Sequence, residues 1–112
     1  MDRDRIYLCH MRDAIAKIER YLAGADYQTF AGNDMMIDAV IREMEIIGEA
    51  ARNLSPSFVE EHSEMPWSRI KRMRNILIHE YFGVNLKVVW DTSRSNLPQL
   101  KTFIQNTLTE AQ

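Results

Sequence analysis

The stretch DMMIDAVIREMEIIGEAARNL, residues 34–54, decides the fold class. Met36, Val40, Met44, Ile47, Ala51 and Leu54 recur in it at steps of three and four, which puts one apolar stripe on a long helix. Asn33 or Asp34 can cap its start by accepting a backbone N–H, and it ends near Asn53, just before Ser55-Pro56. Toward the N-terminus, Leu8, Met11, Ile15, Ile18 and Leu22 repeat the same spacing, so a first helix spans about Arg3 to Leu22 and stops at Gly24. A short turn or helical segment around Asp26 to Phe30 joins the two. Toward the C-terminus, Ser55-Pro56 opens a short helix through Phe58, Val59 and Glu61, with proline where its missing N–H costs nothing. Met65-Pro66-Trp67 is a connector, and a further helix runs from Trp67 or Ser68 to about His79 or Glu80. Gly83-Val84-Asn85 breaks the chain again. A last helical stretch covers Leu86 to about Leu108, divided at Pro98 by a kink or brief interruption. No period-2 alternation or repeat is present. Short links between amphipathic helices predict an all-α, up-and-down bundle of four or five helices in one domain, residues 1–112.

Composition narrows the function classes. The 112 residues are 46% hydrophobic and 27% charged, which suits one ordinary globular core. Cys9 stands alone, so an internal disulfide framework is excluded and a reducing compartment fits. The N-terminal Met-Asp-Arg-Asp-Arg has no apolar run behind it, and no segment approaches the ~20 apolar residues of a membrane span. A cytoplasmic location is therefore expected. His10 and His62 lack spaced Cys, His or carboxylate partners, so neither a metal site nor a cofactor is expected. The net charge of −2 means that any binding of nucleic acid must come from a local patch. Arg69, Lys71, Arg72 and Arg74 form such a patch, in a stretch with no acidic residue between Met65 and His79. A basic run on a helix is also the ordinary composition of a solvated face.

One residue departs from the amphipathic pattern. On the helix that starts at Trp67, residues Trp67, Ile70, Met73, Leu77 and Tyr81 share an arc, and Arg74 falls within it. An arginine there must snorkel outward, pair with a carboxylate or belong to a site between subunits. His79 lies five residues on, about 140° around a straight helix, so the two side chains do not meet on one ideal helix. Asn75 and His79 are neighbours at i and i+4, while Arg74 and Tyr81 share a face at i and i+7. A loosened helix end before Gly83, or a two-fold axis joining two copies, would bring Arg74 and His79 into one pocket. A lone histidine at a helix C-terminus is the competing reading.

The run Met-Arg74-Asn75-Ile-Leu-Ile-His79-Glu80-Tyr81-Phe-Gly resembles the R-x4-H-x-Y signature of HEPN-domain toxins, closest to the HepT branch. Ile47-Gly48-Glu49-Ala50-Ala51, the Ser55-Pro56 turn, Pro66-Trp67 and Leu97-Pro98-Gln99-Leu100 extend the similarity over nearly the whole chain. The resemblance implies a HEPN-like helical homodimer in which Arg74 and His79 of both copies line a shared cleft. It also implies a toxin that cleaves RNA without a metal and is controlled by a small nucleotidyltransferase antitoxin. His79 is then the general base or acid and Arg74 the stabiliser of charge on the phosphate. Asn75 would orient the imidazole or bind a phosphate, and Arg69, Lys71 and Arg72 would attract the RNA backbone. Tyr81 has two readings, an aromatic packing residue or, by the resemblance, the acceptor of AMP from the antitoxin. Glu49 is read as a solvated carboxylate, with ion pairs to Arg74 or to a basic antitoxin surface as alternatives. Two other functions compete: a non-catalytic helical subunit that binds substrate or nucleotide for a separate nucleotidyltransferase, and a dimeric scaffold without a ligand.

Overall fold

The computed structural model describes residues 3–79 and 85–110, with residues 75–79 described by their backbone only. Helix α1, Arg3–Leu22, buries Leu8, Met11, Ala14, Ile15, Ile18 and Leu22 along one stripe. It ends as expected at Gly24, whose φ of 76° lies in the left-handed region that a side chain disfavours. The short α2, Tyr27–Ala31, is capped by Asp26, whose carboxylate accepts the Thr29 N–H at 2.8 Å. Helix α3, Asp34–Arg52, is capped by Asn33, which accepts the Met36 N–H at 3.0 Å. Its apolar arc is wide because it packs on both sides, against α1 and against α5. Burying each Ile, Val or Met there contributes roughly 1.5–3 kcal/mol.

Helix α4, Pro56–Glu61, starts at Ser55, whose hydroxyl accepts the Phe58 N–H at 3.2 Å. Ser55 is itself held by Asp4 in the first turn of α1, to which its N–H and its O–H each donate at 2.7 Å. Helix α5, Trp67–His79, begins with a buried Trp67 whose indole N–H donates to the His62 carbonyl at 2.9 Å. Phe58 and Phe103 pack their rings against that indole, and the His62 ring packs against both of them.

The final stretch refines the expectation at Pro98. Helix α6, Leu86–Asp91, and helix α7, Leu97–Glu110, are joined by one widened π turn over Thr92–Asn96. There the Leu97 N–H donates to the Thr92 carbonyl, five residues back. Proline has no N–H to give and clashes with the carbonyl four residues earlier, so the ladder widens just before Pro98. Helix α7 returns along α1, where Lys101 meets Glu19 at 3.0 Å and the Arg5 guanidinium donates to the Leu108 carbonyl at 3.4 Å. Among the described residues there is no strand, and no helix is long and apolar enough to cross a membrane. The long helices α1, α3, α5 and α7 make the bundle, and α2, α4 and α6 are short pieces that turn corners.

Candidate functional site

The site is built where α3 crosses α5. Gly48 stands in the interior of α3, where glycine costs about 1 kcal/mol relative to alanine. A Cβ at this position would lie 2.5 Å from the Arg74 nitrogen and 3.2 Å from the Lys71 carbonyl oxygen. The two helices thus touch backbone to backbone, and the absent side chain is what allows it. This contact fixes the height of Arg74 on the bundle. The next residue of α3, Glu49, then reaches the arginine: its Oε2 lies 2.8 Å from Arg74 Nε. Of the readings open for Arg74, the structure shows the carboxylate pair. The solvated reading of Glu49 is corrected to an ion pair, because the Gly48 crossing carries its carboxylate over α5. Arg74 remains 41% exposed, so its guanidinium is oriented by Glu49 yet still open to an anion from solvent.

The basic patch divides. Arg69 and Arg72 line a cleft of ≈ 440 Å³ between α5 and the α6–α7 segment, walled by Ile70, Met73, Leu97 and Leu100. Lys71, on the opposite flank of α5, lines a separate groove of ≈ 600 Å³ together with Arg3 and Arg52. Arg69 and Arg72 thus line one groove and Lys71 another. Residues one or two apart on a helix point to different sides, and α5 is flanked by a groove on each. That Arg3 and Arg52 join Lys71 at one groove was not legible from the sequence. They lie far from the α5 run and come to it only through the fold.

The other expected site residues are only partly within reach. The backbones of Asn75 and His79 belong to the last two turns of α5, while their side chains lie outside the described residues. Tyr81 lies wholly outside them. Among the described residues no group of three His, Cys, Asp or Glu is arranged to hold a metal ion. His10 packs edge-on against Tyr7 at 5.7 Å, and His62 belongs to the aromatic group around Trp67. Cys9 is half-buried at the margin of the core.

No solved structure matches the chain. It is similar to a candidate RNase of Caldanaerobacter subterraneus subsp. tengcongensis, 37% identical over 108 residues and covering 96% of both chains. A protein of Thermococcus cleftensis described as a probable ribonuclease HepT is 41% identical over 95 residues, 85% of this chain and 86% of that one. A third relative, from Methanocaldococcus jannaschii, is described as a gamma-glutamylcyclotransferase and candidate RNase. It is 40% identical over 106 residues, which are 95% of this chain and 48% of that protein. The family profile described as "Ribonuclease HepT-like" matches residues 11–107. The chain belongs to the HepT-like ribonuclease family.

Proposed function

We propose that this chain is the toxin of a toxin–antitoxin pair and an endoribonuclease that works without a metal, with Arg74 and His79 as its catalytic residues. The observation that carries the reading is the anchored arginine: Arg74 is oriented by Glu49 and still open to solvent. Membership of a ribonuclease family supports RNA as the substrate. A neutral imidazole, with an ordinary pKa of about 6.5, takes the proton of a ribose 2′-hydroxyl near neutral pH. The 2′-oxygen then bonds to the adjacent phosphorus, and the bond from phosphorus to the 5′-oxygen breaks. The 5′-oxygen leaves with a proton, giving a 2′,3′-cyclic phosphate and a 5′-hydroxyl end. The Arg74 guanidinium stabilises the charge that gathers on the phosphate oxygens during attack. Asn75 supports the imidazole or the phosphate.

Positions 74 and 79 are about 140° apart on a helix, so one copy does not close the site by itself. Two copies sharing a cleft would supply a second imidazole to protonate the leaving oxygen. Control would come from a small nucleotidyltransferase antitoxin that transfers AMP to Tyr81, putting an anionic adenylate beside Arg74 and His79. Incubation with that partner and ATP would then raise the mass of the chain by one AMP, and Tyr81→Phe would abolish the gain. The central test is cleavage of total RNA in the presence of a chelator. Wild-type chain yields cyclic-phosphate ends, and His79→Ala or Arg74→Ala lowers the rate on the order of 10²–10⁴-fold. Equal cleavage by wild type and both variants, or a strict metal requirement, would overturn the reading.

The competing reading is a non-catalytic subunit that binds a nucleotide for a separate nucleotidyltransferase. It is favoured by the ≈ 440 Å³ cleft beside Arg69 and Arg72, a volume suited to a nucleotide. RNA left intact by the wild-type chain, with a nucleotidyltransferase that needs this chain for turnover, would decide for it.

A further inference from the structure

We propose that the groove lined by Arg3, Arg52 and Lys71 is the track along which the RNA backbone leaves the scissile phosphate; this rests on the ribonuclease reading above. Three cations from three separate helices converge on this groove. Glu60 is the one carboxylate among its described lining residues. Among the described residues, no carboxylate lies within ion-pair distance of Arg3, Arg52 or Lys71. Among the described residues these cations are thus without a carboxylate partner, the Arg3 guanidinium lying 5.9 Å from the centre of the Tyr7 ring.

Register connects this groove to the catalytic arginine. Helices α3 and α5 run antiparallel past Gly48, and Glu49 faces Arg74. Three residues further along α3 is Arg52, and three residues back along α5 is Lys71. Along the helix axes, Arg52 and Lys71 thus stand about one helical turn, roughly 5 Å, from the level of the Glu49–Arg74 pair. Arg3, at the start of α1, extends the line past Arg52. The cleft on the other flank also carries two cations, Arg69 and Arg72, but Arg74 is not among its lining residues. Glu49 also holds Arg74 over the α3 flank, away from that cleft. A strand whose phosphate rests on Arg74 therefore continues over Lys71 and Arg52.

The test uses the full chain carrying His79→Ala, so that RNA binds without turnover. Anisotropy titrations of a labelled single-stranded RNA are run over a series of salt concentrations. For single strands each released phosphate counterion contributes a slope of about −0.7 in log K against log salt. Adding Arg52→Ala and Lys71→Ala together is expected to flatten the slope by about 1.4 and to weaken binding on the order of tenfold at low salt. Adding Arg52→Lys and Lys71→Arg instead keeps the charges and restores the slope, which separates lost contacts from lost fold. Arg20→Ala, at the opposite end of α1 from Arg3, serves as the control for loss of a surface charge. Unchanged slopes in the Arg52→Ala/Lys71→Ala chain overturn the groove, as does an equal or larger flattening by Arg69→Ala with Arg72→Ala. If wild type cleaves RNA while these slopes stay unchanged, only the groove falls and the nuclease reading stands. If neither wild type nor the His79→Ala chain cleaves or binds RNA, both fall.

Discussion

Gly48 and Glu49 are adjacent in sequence but do different work. Gly48→Ala would drive a Cβ to 2.5 Å from the Arg74 nitrogen, a backbone atom that cannot rotate away. Helix α5 must shift, and overpacking of this kind costs about 1–3 kcal/mol. Urea unfolding should show that loss, and RNA cleavage measured under conditions where the variant stays folded should fall with it. Glu49→Ala should act otherwise. The pair is half-exposed, and solvent-screened pairs contribute about 0–1 kcal/mol, so the unfolding midpoint should barely move. Cleavage should nevertheless fall, because the guanidinium loses its orientation; full activity in Glu49→Ala would show that the pair positions nothing. At this scale the sequence was half legible. Arg74 announced itself by breaking an apolar arc. Its partner did not, because α3 offers Asp38, Glu43, Glu45 and Glu49 between positions 38 and 49 and only the crossing at Gly48 selects one. The signal that pointed there was a glycine in a helix interior, a costly choice unless another backbone comes close.

Helix ends were the most legible features, because capping depends on a few neighbouring residues. Asn33, Ser55 and Gly24 act where their chemistry predicts. Asp26 adds a pH-dependent case: the Thr29 backbone N–H, then its side chain, hold the Asp26 carboxyl below the usual carboxylate range. A folded-state pKa below the unfolded one stabilises fully above the unfolded value and loses that contribution as pH falls through the lowered one. Helix α2 should therefore loosen at its first turn in acid, seen as faster exchange of the Thr29 amide. Asp26→Asn should remove the pH dependence of that exchange; the same acid-induced loosening in Asp26→Asn would refute the assignment. The last helix was less legible. Proline marks where a helix is disturbed, but whether the chain kinks, stops or widens depends on what the next turn packs against. Here Ser93 is buried, with its hydroxyl donating to the Val89 carbonyl, and the ladder widens around it.

For the molecule as a whole, the all-α class and the order of helices follow from apolar periodicity, which requires no knowledge of distant contacts. The division of the basic run between two flanks of α5 does require it. Lys71 gains Arg3 and Arg52 as companions only because α1, α3 and α5 meet, and the site is thus a property of the tertiary fold rather than of the motif. The helical positions of Arg74 and His79 carry the same lesson one level higher, since a second copy is what would bring them together.

The crossing at Gly48 has a mechanical consequence. Contact at a bare Cα acts as a pivot, which sets where α5 stands but restrains its roll only weakly. Buried Trp67, Ile70 and Met73 hold the roll, and the Glu49–Arg74 pair is the strut that aims the guanidinium, with a stiffness that comes from charge rather than packing. Added salt slackens an exposed electrostatic strut while leaving a buried apolar core intact. The Arg74 side chain should therefore go out of true at ionic strengths where the bundle still stands.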